Sequence, residues 1–119
     1  MIVAGFGFRS GATLGALQEA LAKAGGPSGV THLATLSAKA EGLRPLALAL
    51  DLPVVALEAE LLRGIPTPTR SSRVVAMFGT GSISEAAALA AAGEGACLRG
   101  PRSVSSDGTA TAAIAEGLG

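Results

Sequence analysis

The chain has 119 residues, of which 49% are hydrophobic, and its nine basic residues balance nine acidic ones. This length and hydrophobicity suffice for one core, so residues 1–119 are predicted to form a single domain. The chain has three Phe, no Trp and no Tyr. It therefore lacks the basic field and the stacking surface on which nucleic-acid-binding proteins depend, and nucleic acid is not an expected partner.

Cysteine and histidine each occur once, as Cys97 and His32. A single cysteine excludes an internal disulfide, and the two residues are too few soft ligands for a zinc site, so no metal and no cofactor are expected. The N-terminal apolar stretch has no basic residue before it, and Pro45, Asp51 and Pro53 interrupt the longest later apolar region. We expect no signal peptide and no membrane span, and a reduced, cytoplasmic protein.

An apolar run over residues 1–8 predicts a first strand, and a glycine-rich segment joins its end to the first helix. The candidate ligand-binding residues in this segment are Gly5, Gly7, Arg9, Ser10 and Gly11. Glycines let the backbone approach an anion closely, and a helix N-terminus adds partial positive charge. The spacing is one residue longer than the dinucleotide fingerprint, so a nucleotide-binding module is weakly supported. A glycine turn that only packs the helix on the strand explains the motif about equally well.

Helical and strand patterns then alternate. In order, they predict a helix at 13–24, a strand at 30–36 and a helix that carries Leu43, Leu46 and Leu50 with Pro45 in its first turn. A strand at 53–57 and one or two helical turns at 58–63 follow. This βαβαβ order is typical of parallel strands. Glu19 and Lys23 are predicted to form a surface pair. His32 is predicted to be a packed or hydrogen-bonded strand residue rather than a catalytic base.

Lys39 and Glu41 lie just beyond the end of the second predicted strand. Ligands of open α/β sheets bind outside the carboxyl ends of parallel strands, where the glycine segment would also lie. Lys39 and Glu41 are therefore candidate site residues. A solvated charge pair is an equally good interpretation.

The second half begins with an extended, proline-stiffened loop at 64–70. Residues 71–78 fit either a strand or a short helix capped by serine, and we predict a helix. Gly81, Ser82 and Glu85 open the next helix, which ends near residue 92, and Ser82 with Glu85 has the spacing of a capping box. The free N–H groups of this helix are a second candidate anion site, although capping alone explains both side chains. Strands at 96–99 and 109–115 are predicted to pair around a polar loop that contains Arg102.

These elements together predict an α/β fold. We expect a three-layer α/β/α sandwich whose mixed, mostly parallel sheet has about five strands.

Four motifs in this order resemble a cobalamin-biosynthesis family that comprises stand-alone CobE proteins and the C-terminal domain of CbiG. The first motif is the glycine segment, where Phe8 occupies a position at which the family frequently has cysteine. The others are Ala34-Thr35 followed by Lys39 and Gly42-Leu43, then Gly79 with Ser82-Ile83-Ser84-Glu85-Ala86-Ala87-Ala88-Leu89, and finally Pro101-Arg102 with a last strand at 111–115. Glu41 lies one residue closer to the lysine than in the family pattern.

The resemblance implies a role in building the corrin ring. Precorrins carry many carboxylates, and the residues expected to bind them are Gly5, Gly7, Arg9, Ser10, Gly11, Lys39, Glu41, Gly81, Ser82, Glu85, Arg102 and Thr111. The first hypothesis is a protein that binds or carries a precorrin-type tetrapyrrole and meets other corrin-biosynthesis enzymes. A site shared between subunits of a homo-oligomer would offset the shortage of aromatic walls. The alternative is a CbiG-like hydrolase that opens a precorrin lactone, with Lys39 and Glu41 as weak catalytic candidates.

Overall fold

A computed structural model of the chain describes residues 1–118, which contain one mixed sheet and four α-helices. The strands are β1 (Ile2–Phe8), β2 (His32–Leu36), β3 (Val54–Leu57), β4 (Cys97–Leu98), β5 (Ser103–Val104) and β6 (Ala110–Glu116). The helices are α1 (Leu14–Ala24), α2 (Ala40–Leu50), α3 (Ser72–Phe78) and α4 (Ile83–Ala92). Single turns of 3-10 helix occur at Ser37–Lys39 and Ala59–Leu61.

The strand order is β3-β2-β1-β6-β4, and β5 pairs with β6 beyond this path. β1 pairs in parallel with β2, and β2 with β3, as the βαβαβ pattern predicts. β6 pairs antiparallel with β1, β4 and β5, so it runs opposite to the other five strands. The predicted mixed α/β sheet is confirmed. The additional strand, β5, has two residues and lies inside the segment that was expected to be a loop.

Helices cover both faces of the sheet, as the three-layer prediction requires. On one face, α1 and α2 bury a cluster around Phe6, Leu17, Leu33, Leu43 and Ile114. On the other face, α4 packs its alanines against a second buried cluster that includes Val3, Ala34, Leu57, Ala86 and Ala87. Neighbouring β1 residues enter different clusters because successive side chains of a strand point to opposite faces.

Gly5 allows α4 to lie directly on β1. A Cβ atom at this position would overlap the carbonyl oxygen of Ser84 and would come within 2.5 Å of the backbone nitrogen of Ala88. Because both neighbours are backbone atoms, a side chain would force the whole helix away from the sheet. The role of Gly5 in the fold is therefore to permit close packing.

The ambiguous segment at 71–78 is helical, as predicted. The hydroxyl of Ser71 accepts a hydrogen bond from Val74 N–H at 3.5 Å, and Gly79 ends the helix with a φ of 70°. One detail of the predicted helices is wrong, because α2 begins at Ala40 and Pro45 therefore lies in its second turn. The helical turn expected within residues 58–63 is a single 3-10 turn at Ala59–Leu61.

His32 is a hydrogen-bonded strand residue, as predicted, with Nδ1 2.7 Å from the hydroxyl of Thr31.

No single helix within residues 1–118 is long and apolar enough to cross a membrane. Only α3 and α4 taken together reach that length and composition, and they are bent by 50° relative to each other.

Candidate functional site

A groove runs along the carboxyl edge of β1, between β6 and α3. It consists of two adjoining depressions of about 280 and 470 Å³, which share Phe8, Arg9 and Val74. We call this surface the edge groove. The parallel strands end here, so the groove occupies the position that the sheet topology favours for a ligand.

Four cationic side chains line the edge groove. Arg9 and Arg102 belong to the depression beside β6, and Arg9, Lys39 and Arg73 to the depression beside α3. No aspartate or glutamate among the described residues lines either one. The ion pairs within residues 1–118 are Lys23–Glu19, Arg44–Glu41 and Arg99–Glu116, so the four groove cations have no carboxylate partner there. No ion pair among the described residues therefore offsets the positive charge of the groove.

The floor and one wall of the groove are apolar. Phe8 lies at its centre, and α3 contributes Val74, Met77 and Phe78. Met77 is 58% exposed although it is a large apolar side chain. The ammonium of Lys39 lies 5.6 Å from the centroid of the Phe8 ring, within the range of a cation–π interaction. The arrangement suits a ligand with an apolar body and anionic substituents.

Gly7 and Thr111 close the groove on the side of β6. The Thr111 hydroxyl donates a hydrogen bond of 3.1 Å to the carbonyl oxygen of Gly7. A Cβ atom on Gly7 would lie 3.0 Å from the Thr111 oxygen and 3.4 Å from Cβ of Ile83. Because Gly7 has no side chain, the space between β6 and the start of α4 remains open.

The loop between β5 and β6 forms an outer wall, to which Val104, Gly108 and Thr109 contribute. Within the loop, Oδ1 of Asp107 accepts hydrogen bonds from the Thr109 N–H at 3.0 Å and the Thr109 hydroxyl at 2.7 Å, and from the Ser105 hydroxyl at 2.7 Å. These bonds, chiefly those from Thr109, lower the pKa of Asp107 below its ordinary value. The wall is therefore held by a turn around an ionised carboxylate.

The same loop is fastened to α1 by Glu19. The Glu19 carboxylate accepts hydrogen bonds from the backbone N–H of Ser106 at 3.0 Å and from its hydroxyl. It also makes the predicted ion pair with Lys23 at 3.0 Å. The hydrogen bonds from Ser106, followed by the contact with Lys23, lower the pKa of Glu19 below its ordinary value.

The opening glycines do not form the expected cradle of N–H groups. Gly5 and Gly7 lie within β1, where they pair with β6. The backbone N–H of Arg9 donates to the carbonyl oxygen of Thr109 at 2.9 Å and is therefore already used. Gly11 lies exposed in the turn before α1. The side chains of Arg9 and Ser10 do reach the edge groove.

The N-terminus of α4 is covered by the chain itself. Gly81, Ser82 and Glu85 are buried, and a Cβ atom on Gly81 would lie 2.5 Å from the carbonyl oxygen of Thr69. Ser82 caps the helix, as its hydroxyl accepts a hydrogen bond from Glu85 N–H at 3.5 Å. The carboxylate of Glu85 does not return to the Ser82 N–H, so only half of the capping box forms. The expected second open helix end is thus not on the surface.

Lys39 and Glu41 lie in different surroundings. Lys39 lines the edge groove, whereas Glu41 is exposed and pairs with Arg44 at 3.5 Å. The carboxylate that shares a depression with Lys39 is Glu58, at the end of β3, in a space of about 250 Å³ that adjoins the groove at Phe78. Glu58 was not singled out from the sequence, although it too follows a strand.

Comparison with known proteins identifies the family. The sequence profile described as "Cobalamin synthesis G C-terminus" matches residues 2–115. The chain belongs to this family. No curated protein sequence matches it significantly.

Two solved structures of cobalamin-biosynthesis proteins resemble the chain over nearly its whole length. The first is the crystal structure of CobE, described as a protein from the cobalamin (vitamin B12) biosynthetic pathway, with a TM-score of 0.80 and 32% identity, covering 99% of this chain and 91% of that one. The second is the cobalamin biosynthesis protein ChiG from Agrobacterium tumefaciens str. C58, with a TM-score of 0.70 and 36% identity over 100% of both chains. The suggested family and its α/β fold are thereby confirmed.

Proposed function

We propose that this protein binds a precorrin-type tetrapyrrole intermediate of cobalamin biosynthesis in the edge groove. The observation that carries the proposal is the set of four cations without carboxylate partners around an apolar floor: Arg9, Lys39, Arg73 and Arg102. A tetrapyrrole presents an apolar ring with carboxylates around its rim. The two patterns are complementary in charge and in polarity.

The chemistry of the cations supports this choice of ligand. Arginine forms bidentate, charge-assisted hydrogen bonds with carboxylates, and three of the four groove cations are arginines. The cations occur on both sides of Phe8 rather than at one point, as a ligand with several separated carboxylates requires. A different groove of about 440 Å³, lined by Leu57, Leu61 and Ile65 among others, has no cation in its lining. It offers such a ligand no ionic partner.

Titration of the purified protein with precorrin-type intermediates tests the proposal, with the visible absorption of the ligand as the readout. Saturable spectral change and co-elution are expected. Arg73→Ala and Arg102→Ala should each weaken binding about tenfold or more, because a hydrogen bond to a charged group contributes about 1.5–3 kcal/mol. Arg44→Ala is the matched control, since it removes an exposed arginine that pairs with Glu41 outside the groove. The proposal would be contradicted if no intermediate changed its spectrum, or if all three variants lost the same amount of binding affinity.

The alternative activity, hydrolysis of a precorrin lactone, has less structural support. It relied on Lys39 and Glu41 acting together, and the exposed Glu41 carboxylate instead pairs with Arg44. Turnover of a δ-lactone precorrin to the ring-opened acid by this chain alone, lost in Lys39→Ala, would favour the enzyme over the carrier.

A further inference from the structure

Glu85 is a fully buried carboxylate with 0% exposure, on the third residue of α4. Within residues 1–118 it has no cationic partner. Burial of a charge is costly unless hydrogen bonds compensate it. Here Oε1 accepts from the N–H of Thr69 at 3.0 Å, and Oε2 accepts from the Thr69 hydroxyl at 3.0 Å and from the N–H of Arg102 at 2.7 Å.

The donors come from two loops that reach opposite sides of the edge groove. Arg102 itself lines the depression beside β6. Thr69 lies two residues before the cap of α3, the helix that supplies Arg73 and Met77 to the other depression. No residue of α3 is itself buried, although Phe78 packs against the second cluster, so the segments that connect the helix also contribute to its position. The Glu85 carboxylate therefore connects the loops on both cationic sides of the edge groove to α4.

Capping does not account for this carboxylate. Ser82 already caps α4 through its hydroxyl, and the Glu85 oxygens point to the two loops instead. Both oxygens are used as acceptors, which an amide of the same shape cannot reproduce, because its NH₂ group would face a donor. The position thus requires a carboxylate for its contacts with the loops.

We infer that Glu85 is a positioning residue for the ligand: its buried carboxylate sets the spacing between Arg102 and the Arg73-bearing helix, and so the spacing of the ligand carboxylates that the groove accepts. This inference rests on the proposed function. Glu85 would influence which ligands the groove accepts without contacting the ligand itself.

The test combines Glu85→Gln with removal of the two cations through which Glu85 acts. Glu85→Gln should leave the chain folded, speed amide hydrogen exchange at Arg102 and Thr69, and weaken binding of the precorrin-type ligand about tenfold. In an Arg73→Ala, Arg102→Ala background, Glu85→Gln should change the dissociation constant less than twofold, because its effect passes through those side chains.

Thr35→Val is the matched control for a purely structural effect. It removes the buried 2.9 Å hydrogen bond from the Thr35 hydroxyl to the carbonyl oxygen of Phe6, away from the groove. It should lower stability without changing the dissociation constant. If Glu85→Gln does not fold, Thr69→Val takes its place, because it removes the hydroxyl that donates to the Glu85 carboxylate. Thr69→Val should weaken ligand binding in the wild-type chain. It should have no such effect when Arg73→Ala is also present.

The outcomes separate the inference from the proposed function. If folded Glu85→Gln or Thr69→Val binds the ligand as tightly as the wild type, the inference is wrong and the proposed function is unaffected. The same holds if hydrogen exchange at the Arg102 amide does not change. An equal loss in the background that lacks both arginines also overturns it. If the wild-type protein binds none of the intermediates, the proposed function fails and the inference fails with it.

Discussion

The ring of Phe8 lies against the backbone of Gly42 at the start of α2: a Cβ atom on Gly42 would come within 2.6 Å of the ring carbon Cε2. Gly42→Ala should therefore displace the ring from its present position in the edge groove. We expect the free energy of unfolding to change by less than about 1 kcal/mol, because alanine also favours the helix. Ligand binding should weaken several-fold, as measured by titration alongside urea unfolding.

Gly15→Ala provides the control for that prediction. Gly15 lies in the first turn of α1, where a Cβ atom would meet only the Thr13 hydroxyl at 3.8 Å. The substitution should stabilise the chain by up to about 1 kcal/mol without an effect on binding. Normal binding by folded Gly42→Ala would show that the Phe8 ring is not part of the ligand-binding floor.

Gly5→Ala should destabilise the fold by about 3 kcal/mol, because its methyl group would overlap backbone atoms of Ser84 and Ala88 and displace α4 from β1. Urea unfolding measures the effect. At Gly100 a Cβ atom would meet nothing within 4 Å, so Gly100→Ala should change stability by less than about 0.5 kcal/mol. Similar stability of the two variants would refute the close packing of α4 on β1.

Glu19 should contribute acid-sensitive stability. Hydrogen bonds from Ser106 lower its pKa in the folded chain, so the contribution is complete above the unfolded value of about 4.3 and is lost as the pH falls through the lower, folded value. The difference in unfolding free energy between wild type and Glu19→Gln should be constant above about pH 6 and shrink below about pH 4. Urea unfolding across this pH range measures it.

Glu60→Gln serves as the comparison for that experiment. Glu60 is exposed in a 3-10 turn, and its side chain makes no hydrogen bond or ion pair within residues 1–118. Because Glu60 lacks contacts of the kind that Glu19 makes with Ser106, this variant shows how a Glu-to-Gln change at an exposed site alone affects the free energy of unfolding. A Glu19→Gln difference that persists undiminished at low pH would contradict the assigned hydrogen bonds.

Ligand binding should be salt-sensitive. The groove cations are open to solvent, and the Debye length falls from about 10 Å at 0.1 M ionic strength to about 3 Å at 1 M. The dissociation constant should rise over this interval, and Arg73→Ala should reduce the dependence on salt, whereas Arg44→Ala should leave it as in wild type. An affinity that is independent of salt would mean that apolar contacts alone hold the ligand.

Local patterns in the sequence predicted most of the fold because strand and helix periods report burial directly. They identified the parallel order of β1, β2 and β3 and the serine-capped helix α3. They also placed Arg9, Lys39 and Arg102 at element boundaries, which the structure brings to one edge. Arg73 was missed, because the course of the loop at 64–70, rather than any local pattern, determines where α3 lies.

Glu85 shows a second limit. The sequence predicted a reciprocal cap, since Ser82 and Glu85 have the required spacing. The carboxylate instead binds Thr69 and Arg102, which are 16 and 17 residues away along the chain. Local spacing identifies which contacts are available within one turn of helix, but it does not reveal donors that the tertiary fold brings to the same carboxylate.

The central position of β6 has a consequence for how the chain folds. Ile2 pairs with Glu116, so the middle of the sheet joins segments from opposite ends of the described chain. As the chain leaves the ribosome, β1, β2 and β3 are complete long before β6 is made, and one edge of β1 is meanwhile without a partner. Strands that lie far apart along the chain pair slowly, because a long loop must close before they meet. We therefore expect nascent chains to be most prone to aggregation before residues 110–116 have been made.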